Sequence, residues 1–279
     1  MLFKVGVAMQ EWRVIEEDGP QDGESNMAID RAILASCASG ETLPTLRLYS
    51  WEQPTLTVGY AQDFAKEIDV NRCQKLGIQI VRRPTGGRAL LHNHEVTYSF
   101  TAPIPHSKFP SSLFGAYKVV ARALLEGLKE MGVCGADLAL GGKSNRGRHY
   151  FHSPSCLSSI NHLEIEVQGA KLVGSAQRRT KRAFLQHGSV LLDCDRALLN
   201  SLFKYATDDD RSKSMNILNN KVITLSECLG ESVTRKEVFL ALKKGFSRVL
   251  QGNWVAGHLN SFELIRCTPN SYSVEIITA

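Results

Sequence analysis

Strand and helix patterns are interleaved along this chain, and three observations predict an α+β protein from them. Leu163, Ile165 and Val167 alternate with Glu164, Glu166 and Gln168, the period-two pattern of a half-buried strand. Tyr117, Val120, Ala121, Leu124, Leu128 and Met131 recur at helical spacing across residues 115–131, and Gly132 is placed to end that helix. With 279 residues, 43% of them hydrophobic, the chain can build one large domain or two modest ones around a sizeable core.

The elements follow in order. Residues 25–37 read as a helix, with Met27, Ala28, Leu34 and Ala35 among its apolar positions and Gly40 beyond its end. Residues 46–49 and 55–60 alternate like paired strands split by a turn containing Pro54, and 78–81 read as another strand. A turn over 82–88 leads to a strand from Ala89 and a second over 96–100. Past a polar loop at 153–159, the strand ending at Gln168 turns at Gly169 into one opened by Lys171. A third strand carries Leu185, His187 and Ser189. Asp195 is placed to cap a helix through Leu198, Leu199, Leu202 and Phe203. Residues 207–221 are polar and read as a linker loop. Thr224-x-x-Glu227 and Thr234-x-x-Glu237 are capping boxes, and the second opens a helix with Val238, Leu242, Phe246 and Val249 on one face. The last twenty residues offer only one or two terminal strands.

A net charge of +5 is too weak to demand nucleic acid, and no basic stripe is interleaved with aromatic residues for base stacking. The same charge suits an acidic protein partner. Seven cysteines, an odd number without a C-x-x-C pair, argue against a disulfide framework and for a reducing cytosol. The N-terminal residues lack the apolar core of a signal peptide, and no segment has the length to span a bilayer.

Two places carry chemistry. Six cysteines sit in apolar or helix-like contexts, where cysteine behaves as a small hydrophobe; Cys156 lies instead among serines and a proline. If the hairpin forms, Cys156 and Lys171 lie near one end of the sheet, and an ammonium beside a thiol stabilises its thiolate as a nucleophile. Taken singly, Lys171 reads as a solvated hairpin lysine and His187 as a strand histidine bonded to a backbone carbonyl. The second place is Arg82-Arg83-Pro84-Thr85-Gly86-Gly87-Arg88. Paired glycines let backbone N–H groups approach a ligand, Thr85 adds a hydroxyl, and the arginines suit an anionic or carbonyl-bearing group. The competing reading is a glycine turn with solvated arginines. It is not a P-loop, since no G-x-x-x-x-G-K-[ST] run occurs. His149-x-x-His152-x-x-x-Cys156, with His92-x-His94, contains metal-ligating residue types, but the spacing fits no familiar zinc module, so no metal is expected.

Together these segments resemble the lipoate/biotin protein ligase superfamily. RRPTGGRALLHNHEVTYSF is similar to its pattern R-R-x-[ST]-G-G-x-A-[VL]-x-H-x-x-E-x-T-[YF]-S, and GAKLVGSAQRR…LQHGSVLLD to its second signature. SNMAIDRAI and LYSWEQPTLTVGYAQ fit the opening of the family. Cys156 stands fifteen positions before Lys171 (171 − 156 = 15), as in the cysteine-dependent octanoyltransferase branch. The chain departs from that branch just after the cysteine, with Leu157-Ser158-Ser159-Ile160-Asn161 in place of Phe-Asp-Ala-Pro-Ser, so the wall around a thioester differs.

The resemblance implies a mixed sheet flanked by helices, with a catalytic domain over 41–250, a strand and helix before it, and an extension at 251–279. It implies Cys156 as acyl-thioester nucleophile and Lys171 as its activator. Substrate contacts are expected from Arg83, Thr85, Gly86, Gly87, His92, Gly174, Ser175, Ala176, His187 and Gly188. The implied reaction moves octanoyl from octanoyl-acyl carrier protein to a lysine of a lipoyl domain or glycine cleavage H protein. It needs no cofactor, nucleic acid or membrane, and takes place in the cytoplasm. The alternatives are an ATP-dependent lipoate ligase, an amidotransferase taking octanoyl from H protein, and a non-catalytic acyl-binding module.

Overall fold

Eight strands form one sheet in the order β11-β1-β2-β6-β10-β9-β8-β7, and three form a second in the order β4-β3-β5. This computed structural model describes residues 9–17, 19–139, 155, 157 and 163–267. In the large sheet, β1 (Glu11–Glu16) runs parallel to both β2 (Thr45–Tyr49) and β11 (Asn253–Ala256). The remaining pairings, through β6 (Glu95–Pro103), β10 (Ala183–Leu191), β9 (Ala170–Arg179), β8 (Ile165–Val167) and β7 (Ala136–Leu138), are antiparallel. The small sheet joins β3 (Thr55–Val58), β4 (Gln79–Arg82) and β5 (Leu90–His92). This is the expected α+β arrangement.

Alternation along the central strands gives the large sheet two unlike faces. Leu46, Leu48, Tyr98, Phe100, Phe184 and Val190 belong to the main apolar core. That core is closed by α4 (Leu113–Glu130) and α8 (Arg235–Leu250). These helices approach so closely that a Cβ on Gly245 would collide with the α4 backbone at Ala123 and Gly127. The opposite face presents Arg47, Tyr49, Thr97, Ser99, His187 and Ser189, all buried. Onto it fold α1 (Gly23–Ser39) and the small sheet, with α1 touching β6, β10 and β4. A buried face this polar must spend its polar atoms on one another or on a ligand.

Several expectations are corrected. β2 and β3 do not pair: β1 and β6 occupy both edges of β2, so the chain after Pro54 starts the second sheet. Residues 207–221 are not a linker loop but α6 (Asp208–Lys221). Thr207 accepts from the Asp210 N–H, three aspartates suit the helix N-terminus, and Ser214 and Leu218 are buried. The polar composition hid a helix that needs only a narrow apolar contact. Near the C-terminus the chain forms a helix, α9 (Ser261–Arg266), opened by a capping box between Asn260 and Glu263. Glu263 also forms a buried ion pair with Arg13 of β1 at 2.6 Å, and β11 pairs with β1, so these residues are built into the sheet. The capping boxes at Thr224 and Thr234 are both present, opening α7 (Leu225–Leu229) and α8, and Asp195 caps α5 (Arg196–Ser201).

Candidate active site

Between the polar face of the large sheet and the small sheet lies a pocket whose lining is drawn from both. One row of the ladder crosses its wall: Gly174 of β9 faces Ser189 of β10, Ser189 faces Thr97 of β6, and Thr97 faces Tyr49 of β2. Three strand spacings make this row about 14 Å long. Met27 and Trp51 pack with Tyr49 at the β2 end.

Arg83, His92, Gly174, Ser175, Ala176, His187 and Gly188 line the cavity, whereas Thr85, Gly86 and Gly87 do not. Gly188 allows β9 and β10 to approach, since a Cβ there would overlap the Gly174 carbonyl oxygen. The glycine loop folds against Gly59, whose Cβ would overlap the Gly87 carbonyl oxygen, and Gly87 has φ 96°. Gly86 is exposed and faces open space. Arg83 is buried and donates to the carbonyl oxygens of Thr57, Gly86 and Arg88, while Arg82 donates to those of Gly59, Tyr60 and Gln62. These two arginines stiffen the loop, in contrast to the solvated arginines of the glycine-turn reading.

Thr85 reaches the site through His187. Its Oγ1 lies 2.6 Å from His187 Nε2, and His187 Nδ1 lies 3.0 Å from Asp30 Oδ2. Asp30 also accepts from Arg47, Tyr49 and Ser99. Burial by itself would raise the Asp30 carboxyl, but the His187 hydrogen bond and the Arg47 charge hold it below the usual carboxylate range. Burial lowers the His187 pKa despite Asp30, and Arg83 adds to that lowering. A neutral ring that donates Nδ1–H to Asp30 must accept from the Thr85 hydroxyl at Nε2. His187 is therefore held by side chains at both nitrogens, not by a backbone carbonyl.

His92 repeats the arrangement. Nδ1 lies 2.9 Å from Glu95 Oε1, Nε2 lies 2.9 Å from Thr57 Oγ1, and the Trp51 ring stacks on the imidazole at 4.1 Å. Thr97 donates to the same carboxylate oxygen and in turn accepts from the Trp51 N–H at 2.8 Å. Glu95 titrates below its ordinary value because the nearby His92 overcomes the effect of burial.

Lys171 is fully buried, which overturns the reading of Lys171 taken singly as a solvated hairpin lysine. Its Nζ lies 2.8 Å from Oε1 of Glu164, and both side chains are sealed from solvent. A Cβ on Gly174 would stand 3.2 Å from Lys171 Cε and 3.6 Å from Nζ, so the ammonium group sits just behind the cavity wall. The period-two pattern places Glu164 on a polar face. Instead Leu163 has φ 70° and the register shifts between Ile165 and Glu166, and Glu164 is buried. Cys156 lies outside the described residues, as do His149 and His152. Its neighbours are described: Ser155 bridges Ala89, just after the glycine loop, and Leu157 is buried with Leu90 and Leu191.

Sequence reading missed Met27, Asp30, Trp51, Thr57, Glu95, Thr97, Glu164 and Ser189. The signal available for Thr97, Ser99 and Thr101 was their alternation with Tyr98 and Phe100, which marks one strand as polar on a face that proves buried.

Comparison with known proteins agrees with this architecture. The profile of the lipoyl protein ligase A/B catalytic domain matches residues 22–247. A protein of Kyrpidia tusciae named octanoyltransferase LipM is 37% identical over 258 residues, covering 91% of this chain and 93% of the relative. Another of that name from Geobacillus kaustophilus is 38% identical, covering 88% of each. A bipartite lipoate protein ligase from Thermoplasma acidophilum superposes with a TM-score of 0.74 at 22% identity, covering 93% of this chain and 91% of the other, which shows the shared fold. This chain belongs to the lipoyl protein ligase A/B catalytic-domain family.

Proposed function

We propose that the protein is an acyltransferase that moves an octanoyl group from octanoyl-acyl carrier protein, through a thioester on Cys156, to a lysine of a lipoyl-type acceptor such as glycine cleavage H protein. The observation that carries this reading is Lys171, a buried lysine set behind Gly174 in the wall of a cavity with an apolar far end. Relatives of nearly full length named octanoyltransferase support the choice of acyl group.

In the first step the Cys156 thiolate attacks the donor thioester. A new carbon–sulfur bond forms, the bond to the phosphopantetheine sulfur breaks, and that sulfur leaves and takes up a proton. In the second step the acceptor amine attacks the enzyme thioester. The amide forms, the Cys156 sulfur leaves, and the amine proton passes to it or to water. Lys171 favours the thiolate form in both directions. Each step passes through an oxyanion that preorganised donors stabilise; backbone N–H groups at Gly174–Ser175 or at Gly86–Gly87 are the candidates. Arg83, Thr85, His92, Ala176, His187 and Gly188 shape the acyl site in this reading. A thioester stores enough free energy to form an amide without ATP, and a cytoplasmic, reducing setting keeps the thiol available. No helix among the described residues is long and apolar enough to cross a membrane.

Intact-mass analysis after mixing with octanoyl-acyl carrier protein tests the mechanism. One octanoyl increment on Cys156, lost in Cys156→Ser, is expected. A Cys134→Ser background is the cleaner one, because Cys134 is exposed while burial pushes Cys37 up to about 12 and Cys73 and Cys194 up to about 11. No adduct from a competent donor, or an adduct on another cysteine, rejects the mechanism. ATP–pyrophosphate exchange, expected to be absent, separates the ligase alternative. Loading from octanoyl-H protein in preference to octanoyl-acyl carrier protein would favour the amidotransferase. Reversible binding without any adduct would favour an acyl-binding module.

A further inference from the structure

Charge on this chain is segregated in a way that its net value hides. Residues 96–125 and 168–192 contain no aspartate or glutamate. They hold Lys108, Lys118, Arg122, Arg178, Arg179, Lys181 and Arg182 in addition to Lys171. The fold brings the two stretches together at the turn between β9 and β10. Ile104 N–H donates to the Arg182 carbonyl at 2.7 Å, and Arg179 Nη2 donates to the Ser111 carbonyl at 2.8 Å. Beside them Leu113 and Phe114 open α4 at 51% and 50% exposure. Lys118 and Arg122 follow Phe114 at intervals of four, so the three share one exposed stripe.

Among the described residues, none of those seven cations takes part in an ion pair, whereas Lys243, Lys244 and Arg248 of α8 are all matched by Glu16 or Glu130. Unmatched like charges around exposed apolar side chains are what an acidic protein partner recognises. The patch is continuous with the rim of the site. Arg178 donates to the Pro84 carbonyl at 2.9 Å and lies over the Tyr60 ring at 5.1 Å.

We infer that this face, centred on Lys181, Arg182 and Phe114, docks the acidic carrier protein that delivers the acyl thioester, and not the lysine-bearing acceptor. The inference rests on the proposed acyl transfer and adds where its donor sits. Reach selects the occupant. Arg178 is four residues along β9 from Gly174, about 13 Å away. At roughly 3.8 Å per three bonds, a lysine side chain extends about 6 Å and a phosphopantetheine arm about 20 Å. A partner seated on the turn reaches the Gly174 end of the cavity through the longer arm.

The test uses the full chain, wild type and Lys181→Glu/Arg182→Glu, with Phe114→Ala as a second variant and circular dichroism to confirm folding. Labelled acyl carrier protein is titrated in low salt. Kinetics are measured with octanoyl-acyl carrier protein and with octanoyl-pantetheine, which lacks the protein. Binding and KM for the carrier protein are expected to weaken about tenfold or more in the charge-reversed variant, and severalfold in Phe114→Ala. The parameters for octanoyl-pantetheine, and transfer from preloaded enzyme to a lipoyl domain, are expected to stay unchanged. Equal KM losses with both donors overturn the docking face, as does a loss confined to the acceptor step. So does tighter binding of a DNA duplex than of carrier protein in the same titration. The titration needs no turnover, so absent binding rejects the docking face on its own. Binding without a Cys156 adduct from either donor rejects the transfer mechanism instead.

Discussion

Lys171 Nζ and Glu164 Oε1 stand 2.8 Å apart with neither side chain reached by solvent. The carboxylate means that Lys171→Ala removes more than a charge near a thiol. It also takes the lysine's charge away from a buried anion, a change that typically costs about 3–5 kcal/mol. Lysine-to-alanine is therefore expected to lower the unfolding midpoint substantially and to abolish acylation. The double variant Lys171→Ala/Glu164→Gln is expected to recover most of the stability and none of the acylation at neutral pH, while Lys171→Arg, which keeps the positive charge, is expected to retain part of the acylation. Urea titrations and intact-mass time courses separate the two effects. Acylation near the wild-type rate in the double variant would show that Lys171 serves the fold alone.

The Asp30–His187–Thr85 chain predicts an acid-sensitive fold. Burial lowers the His187 pKa below the unfolded value of about 6.5, so the unfolded chain binds more protons between the two values. Stability from this residue is complete above about pH 6.5 and declines as pH falls toward the folded value. Asp30 and Glu95 are also lowered, so their contribution holds above about pH 4 and is lost as pH falls through their folded values. The urea midpoint is expected to be flat near neutrality, to begin falling below about pH 6.5, and to fall further below about pH 4. His187→Gln should flatten the first decline. An unchanged first decline in that variant assigns the effect elsewhere.

Glycines around the site have opposite tolerances. Gly188→Ala and Gly59→Ala each drive a Cβ into a backbone carbonyl oxygen, so losses beyond about 3 kcal/mol are expected. The space facing Gly86 is open, so Gly86→Val is expected to fold within about 0.5 kcal/mol of wild type. In the proposed function that valine obstructs the acyl donor, and acylation slows while the thermal midpoint stays put. Normal acylation by folded Gly86→Val removes the glycine loop from the approach.

The β2 end of the cavity sets chain length in the proposed reaction. Lys171 backs Gly174 at one end of a row about 14 Å long, and Met27 packs with Tyr49 and Trp51 at the other. Met27→Phe is expected to shift preference toward shorter acyl chains and Met27→Ala toward longer ones. About 0.8 kcal/mol per methylene corresponds to about fourfold in kcat/KM for each carbon. Competition between C6, C8 and C10 donors measures this, and an unshifted profile in both variants places the acyl terminus elsewhere.

The sequence by itself determined the local elements and the family. Helix caps, alternating strands and glycine turns act over a few residues, so Thr224, Thr234 and Asp195 could be read as caps directly. The two signature motifs located most of the cavity wall, because short-range chemistry fixes their glycines and histidines. Tertiary structure alone decided which residues those motifs meet. Asp30 lies 157 positions from His187, and Thr85 lies 102 from it, distances across which no periodicity carries information. Glu164 looked like a surface residue of an alternating strand, and only the shift of register buries it against Lys171. Whether β2 paired with β3 also depended on a distant strand, since β1 and β6 fill both edges of β2 before β3 can reach it. α6 escaped notice because its stability comes from a cap and two buried side chains and not from an apolar stripe. Burial and long-range pairing depend on what the rest of the chain places opposite a residue, and that information belongs to the fold.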